Sequence, residues 1–219
     1  MSEPAPPDPS KLTRTKQRWA EEGRFLTGRT ARAGEDRLPP GQHLVRDWPV
    51  LDLGVQPKIA PEEWELRVFG AVQEQATWDW EAFLALPQRR EVTDIHCVTT
   101  WSRFDNQWDG VATRDLLAMV QPKPEARFVV LHSYDGYTTN LPLEDFAAED
   151  AMIAHHWNGQ PLPVEHGGPV RAVVPHLYFW KSAKWLHRIE ILTQDRTSYW
   201  EERGYHDRGD PWAEQRYSD

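Results

Sequence analysis

One cysteine occurs in this chain of 219 residues: Cys97, in Asp94-Ile95-His96-Cys97-Val98-Thr99-Thr100-Trp101-Ser102-Arg103. A thiolate is a soft-metal ligand and, once its pKa is lowered, a nucleophile. A single intracellular cysteine also serves as a small buried hydrophobe. His96 beside it adds little directly, because neighbours on a strand point to opposite faces, and His155-His156 splits the same way. Neither Cys-x-x-Cys nor His-Glu-x-x-His occurs, so a zinc site would have to be gathered from Cys97 and scattered members of the nine histidines. A Cys–His hydrolase pair is the other thiol chemistry these residue types permit.

A second constellation is cationic. His166-Gly167-Gly168-Pro169-Val170-Arg171-Ala172-Val173-Val174-Pro175 leads to Lys181-Ser182-Ala183-Lys184-Trp185-Leu186 and on to Arg188. The His-Gly-Gly-Pro opening reads as a turn, since glycine takes positive φ and proline fixes its own. The β-branched run after it reads as a buried strand. The chain as a whole carries a formal charge of −9, so this local excess of Arg and Lys suits an anion, and a phosphate in particular. The same residues also describe a strand pair with solvated cations on one face.

The elements that must hold these groups are short. Eighteen prolines favour loops and brief strands over a helical bundle, and twelve tryptophans supply large buried area with an N–H that needs a partner. Trp64, Leu66 and Val68 alternate with Glu65 and Arg67 as in a half-buried strand. Residues 77–86 are predicted helical with Thr77 as cap, and residues 91–99 are a strand that delivers Cys97 to a loop. Thr113 is a candidate cap for a helix over 114–120, 128–131 is a strand, and 143–148 is a helical turn. Asp135-Gly136 and Asn158-Gly159 are hairpin turns. Residues 170–174 and 185–192 complete the strands. The expected class is α+β, mixed sheets with short helices. Residues 1–38 are expected to be disordered or loosely packed, with a short surface helix within them, and 39–219 to form the domain. An acidic chain is a poor partner for nucleic acid, and no apolar run approaches the roughly 18 residues of a membrane span. Residues 1–10 lack the apolar core of a secretory signal, so a cytoplasmic location is expected.

The motifs resemble those of the sulfite oxidase family of molybdenum enzymes. His96-Cys97-Val98, with Trp101 and then Trp108-Asp109-Gly110-Val111, is similar to that family's cysteine region. The stretch from His166 to Pro175, with Lys181-Ser182-Ala183-Lys184-Trp185-Leu186, matches its second signature in residue type and spacing. Ser198-Tyr199-Trp200 with Arg203-Gly204-Tyr205 resembles the segment carrying its active-site tyrosine. Val45-Arg46-Asp47-Trp48-Pro49-Val50 resembles an extended segment that supplies an arginine, although Asp47-Trp48 stands where Asn-His is usual. The likeness runs over roughly residues 44 to 210.

That resemblance implies the family's molybdopterin-binding fold and molybdenum–molybdopterin as cofactor, with Cys97 as the protein thiolate on the metal. It implies that His166, Arg171, Ser182 and Lys184, with Lys181 and His96, bind the pterin and its phosphate. Tyr205 would face the substrate, and Arg46 and Arg103 would add positive potential for an anionic substrate. The implied activity is two-electron oxygen-atom transfer on a small molecule, a sulfite-like anion or a sulfoxide. Electrons would pass to or from a separate redox partner, a cytochrome or other carrier. Two alternatives remain open here: a molybdopterin-binding module without turnover, and the zinc- or thiol-dependent hydrolase.

Overall fold

The computed structural model describes residues 37–218. The segment expected to be disordered, and any helix within it, therefore lies outside the described residues up to position 36. Eleven strands and three short helices follow in the order β1 (His43–Leu44), β2 (Glu65–Gly70), β3 (Ala76–Asp79), α1 (Trp80–Leu84), β4 (Gln88–His96), β5 (Trp101–Ala112), α2 (Thr113–Val120), β6 (Phe128–Ser133), β7 (Thr138–Pro142), α3 (Leu143–Phe146), β8 (Met152–Trp157), β9 (Gln160–Pro161), β10 (Arg171–Val173) and β11 (Leu186–Leu192). They build two mixed sheets, as the α+β expectation holds.

One sheet runs β3-β2-β11-β6-β7, with β11 parallel to β2 and antiparallel to β6. Its inner face is written in the alternation: Leu66 and Val68 are buried while Glu65 and Arg67 are exposed. The other sheet runs β1-β5-β8-β10, with β4 on the far edge of β5 and β9 extending β8. The two strands of the cationic stretch thus part company, β10 joining one sheet and β11 the other. The chain between them, and the turns at Cys97 and Asp135, line one cavity from both sheets.

Local expectations fail where pairing overrides propensity. Thr77 is not a helix cap but a strand residue opposite Arg67, because β3 closes a hairpin on β2. The helix begins after Asp79, whose Oδ1 accepts from the Ala82 amide at 2.8 Å. Thr113 is the first residue of α2 and turns inward, donating to the Phe146 and Ala151 carbonyls. The twelve-residue β5 carries Asp105-Asn106-Gln107, poor strand formers, yet it is held on both edges by β4 and by β8 with β1. Both hairpin turns fall where expected, and the strand expected over 91–99 is β4, which starts earlier at Gln88 and ends at His96, leaving Cys97 to Thr99 in the turn.

The C-terminal segment is pinned by a buried carboxylate. Asp145 in α3 accepts from His176 Nε2 at 3.0 Å and from Arg208 Nε and Nη2, both at 3.0 Å. Burial works against the charged imidazole, but its hydrogen bonds to Asp145 and Asp150 carry His176 up to about 9. A folded pKa above the unfolded value of about 6.5 gives stability that is complete below pH 6.5 and lost as pH rises through 9.

Two outcomes are expected. In urea titrations between pH 6.5 and 9, His176→Gln flattens the decline in stability that the parent chain shows over that interval. Gly110→Ala costs about 3 kcal/mol or more by the same measurement, since a Cβ there would lie 2.1 Å from the Ile153 carbonyl oxygen and 2.8 Å from the Ala154 Cα, both backbone atoms that cannot step aside.

Candidate active site

β4 ends at His96 and the chain turns back over Cys97-Val98-Thr99-Thr100 into β5. Cys97 donates its amide to the Trp101 carbonyl at 2.8 Å, Thr100 donates to the Cys97 carbonyl at 3.0 Å, and Thr100 takes φ 74°. Gln42 Nε2 also donates to the Cys97 carbonyl, at 3.1 Å. The sulfur lies 3.1 Å from Thr99 Oγ1 in the cavity wall. Burial pushes the thiol pKa up, and the Thr99 hydrogen bond and the charge of Arg216 oppose that.

The facing wall is the cationic stretch. Its turn closes on Gly167, at φ 107°, where a Cβ would lie 2.8 Å from the Lys184 Cβ; at Gly168 a Cβ would lie 2.1 Å from the Leu162 carbonyl oxygen. Residues 166–172 then run beside 182–186, tied by Ala172 N to Ala183 O, Trp185 N to Gly167 O and Leu186 N to Val170 O. Within this frame Arg171, 2% exposed, donates to the carbonyls of His166 (2.8 Å), Ser182 (2.8 Å) and Ala172 (3.2 Å), with Phe179 4.2 Å from its guanidinium carbon. Burial draws its pKa down to about 9, so it stays charged at neutral pH. Ser182 Oγ accepts from the Val174 amide, and Lys184 Nζ donates to the Glu165 carbonyl at 2.8 Å over the Trp185 ring. His166 lies flat on Trp48, with ring centroids 3.8 Å apart and 4° between planes. Burial, with Arg171 and Lys184 nearby, lowers its pKa to about 3, so it is neutral.

Tyr205 closes a third side, buried, stacked on Trp200 at 4.9 Å and edge-on to Trp180 at 5.1 Å. Burial raises its phenol well above the ordinary value, which leaves it a hydrogen-bond donor at neutral pH. The enclosed space measures about 1080 Å³ with its open mouth.

Six of the expected residues therefore meet here: Cys97, His166, Arg171, Ser182, Lys184 and Tyr205. Four do not. Lys181 points away from the cavity into a fully buried ion pair with Glu201 at 2.6 Å, and it also donates to the Asn140 carbonyl at 2.7 Å. His96, as strand alternation dictates, faces away from Cys97, with Nδ1 2.8 Å from Ser102 Oγ. Arg46 is exposed and outside the lining. Arg103 donates to the Arg46 carbonyl, contacts Asn106 and lies 4.8 Å from the Trp157 ring, also outside the lining. Conversely, Trp48, Ser133, Asp135 and Tyr137 line the space without having been singled out for it. Asp135 sits in the predicted hairpin turn, and burial raises its carboxyl to about 6, but nothing in Asp-Gly distinguishes a lining turn from an exposed one.

Three observations test whether this space fits a pterin phosphate. A buried guanidinium has only neutral acceptors, Ser133 Oγ lines the cavity buried and without a partner, and Trp101 Nε1 does the same. Each is what an anionic ligand rich in acceptor atoms would use. The residues fit.

Comparison with known proteins agrees. Residues 53–200 match the family model described as oxidoreductase molybdopterin binding domain. The chain belongs to that family, of the sulfite oxidase type, and is a molybdopterin-dependent oxidoreductase with molybdenum–molybdopterin as its cofactor. It is 45% identical over 193 residues to YuiH of Bacillus subtilis, an uncharacterized oxidoreductase, covering 87% of this chain and 98% of that one. It is 25% identical over 158 residues to the protein-methionine-sulfoxide reductase catalytic subunit MsrP of Ralstonia nicotianae, covering 65% and 47% respectively. The crystal structure of the sulfane dehydrogenase SoxCD from Paracoccus pantotrophus shares the fold, with a TM-score of 0.59 at 23% identity over 64% of this chain and 40% of that one. The chain thus spans nearly all of YuiH but under half of the other two. Among the described residues, no group of three or more His, Cys, Asp or Glu is placed to hold a metal ion by itself, and no helix is long and apolar enough to cross a membrane.

Arg171 and Lys181 are therefore expected to behave differently when replaced. Arg171→Ala lowers the pterin content per folded chain roughly tenfold, read from the fluorescence of the acid-oxidised pterin. Lys181→Met strands Glu201 and lowers the unfolding free energy by about 3–5 kcal/mol, with pterin content per folded chain unchanged.

Proposed function

We propose that Cys97 is the thiolate ligand of the molybdenum and that the enzyme carries out two-electron oxygen-atom transfer on a small sulfur oxide, a sulfoxide or a sulfite-like anion. The observation that carries the reading is the placement of the one thiol of the chain in the cavity wall between the cationic cradle and Tyr205. When bound, the cofactor supplies a metal centre that exchanges two electrons and one oxygen atom with substrate. The chain's own residues do the rest. Arg171 and Lys184 offer charge to the phosphate, and Ser182 keeps the Val170 to Val174 backbone in register by accepting from Val174. Neutral His166 and Trp48 form a flat stacked wall. Tyr205, held protonated, donates to an oxygen on the substrate. The ring of Trp48, Trp101, Phe179, Trp180, Trp185 and Trp200 strengthens those hydrogen bonds by excluding water.

A specific observation favours the sulfoxide. Arg46 and Arg103, expected to attract an anion, lie outside the lining, and the cations that line it, Arg171 and Lys184, face the cradle. The reductase activity named for MsrP agrees with this choice. Sulfoxide reduction consumes two electrons and two protons and releases thioether and water, so an electron donor is required. A separate redox partner in the cytoplasm is the natural source.

The test is the holoprotein from a host that makes molybdopterin. About one molybdenum and one pterin per chain, with dye-coupled reduction of methionine sulfoxide exceeding oxidation of sulfite, is expected. Cys97→Ser abolishes that turnover while circular dichroism and pterin content stay at parental levels; a serine variant with full activity overturns the ligand assignment. Zinc without pterin would instead point to thiol hydrolysis.

A further inference from the structure

Arg216 lies in the C-terminal segment, beyond the residues that the family match covers, and reaches back to the turn that carries Cys97. Its Nη1 donates to the Val98 carbonyl at 2.7 Å and its Nη2 to the Pro40 carbonyl at 3.3 Å. The guanidinium carbon stands 5.0 Å from the ring centroid of Tyr178, which is buried in the same aromatic cluster as Cys97. Both hydrogen bonds go to neutral carbonyls, so no bonded carboxylate cancels the charge. Glu214, two residues earlier, is exposed, and solvent screens it.

The backbone that carries Arg216 is itself fixed to the site. Tyr205 and Tyr217 form an antiparallel bridge, His206 N donates to the Arg216 carbonyl at 3.3 Å, and Ser218 N donates to the Gly204 carbonyl at 3.0 Å. One segment therefore sets two walls at once, Tyr205 directly and the Cys97 turn through Arg216. The opposite carbonyl of that turn, on Cys97, is held by Gln42, and the turn that brings Gln42 there includes Pro40. Arg216 thus joins both supports of the cysteine turn.

We propose that Arg216 is a positioning residue for Cys97: it fixes the Val98–Thr99 peptide of the cysteine turn and places a positive charge beside that turn, so that the molybdenum centre is easier to reduce than it is without that charge. The physical reason is general. A metal centre gains negative charge on reduction, and a cation held close in a low-dielectric wall stabilises the reduced form. Arginine suits the task better than lysine, because its fork satisfies two carbonyls from one rigid plane. The proposal rests on Cys97 being the metal's thiolate.

The experiment is a redox titration of the holoprotein followed by electron paramagnetic resonance of the Mo(V) state, on the parent, Arg216→Gln, Arg216→Lys and Cys97→Ser. Arg216→Gln is expected to shift the molybdenum midpoint potential downward and to move the Mo(V) g values. Arg216→Lys keeps the potential near the parent's, because the charge remains, but still moves the g values, because one ammonium cannot hold both carbonyls in the same geometry. A parental potential in Arg216→Gln overturns the proposal. If Arg216→Gln does not retain cofactor, Arg216→Lys decides, and a parental Mo(V) spectrum there overturns it equally. Cys97→Ser separates the two levels: parental g values in that variant refute the thiolate ligand itself, whereas altered g values beside a parental Arg216→Gln refute only the role of Arg216.

Discussion

The guanidinium of Arg171 is the constraint on which the site depends. A cation 2% exposed and bonded only to backbone carbonyls is an expensive group to bury, since no carboxylate offsets its lost hydration. The fold accepts that cost by wrapping two stretches of backbone around it. The His166 carbonyl is aimed inward by the glycine turn, and the Ser182 carbonyl is set by the short 3-10 helix at Phe179–Lys181. Phe179 and Trp48 cover the charge with ring faces, which attract a cation without neutralising it. An anion arriving at this position supplies what the protein withholds.

Tryptophan does the second half of the work. Several indole N–H groups staple segments that are far apart in sequence: Trp64 to the Leu186 carbonyl, Trp185 to Val164, and Trp180 to the Glu201 carboxylate. The Trp180 and Trp185 rings then present apolar faces to the cavity, lowering its dielectric and making each polar group inside it count for more. Trp101 departs from this pattern, its N–H buried beside the cavity without a partner. An acceptor on a ligand in the cavity is the partner such an N–H calls for.

The sequence made the cofactor wall legible because its spacing is compact. His166, Arg171, Ser182 and Lys184 fall within one run of residues, and the strand leading to Cys97 shows its period directly. Lys181 was misplaced by the same compactness: it lies one residue from Ser182, and the register of a 3-10 turn, not residue type, sends its side chain toward Glu201 instead. His96 lies outside the lining, on the face to which strand alternation sends it. β5 escaped notice because its stability lies in pairing on both edges, which Asp105-Asn106-Gln107 does not advertise. Trp48 and Asp135 could not be found from spacing, since their roles exist only after the two sheets close.

The division of the cavity follows the division of the chain. The groups that fit the pterin phosphate, His166, Arg171, Ser182 and Lys184, all lie inside residues 53–200, and so does Cys97. The rest of the lining draws on Trp48 and Pro49 before that range and on Tyr205 after it. A match over the middle of the chain therefore fixes the cofactor and says little about what reacts there. The flanking segments complete the mouth of the cavity, and their shape is set by contacts such as Trp48 on His166 and the Tyr205–Tyr217 bridge. Two proteins can share the cradle, the thiol and the sheets, and still differ in chemistry because the loops that meet over the mouth differ.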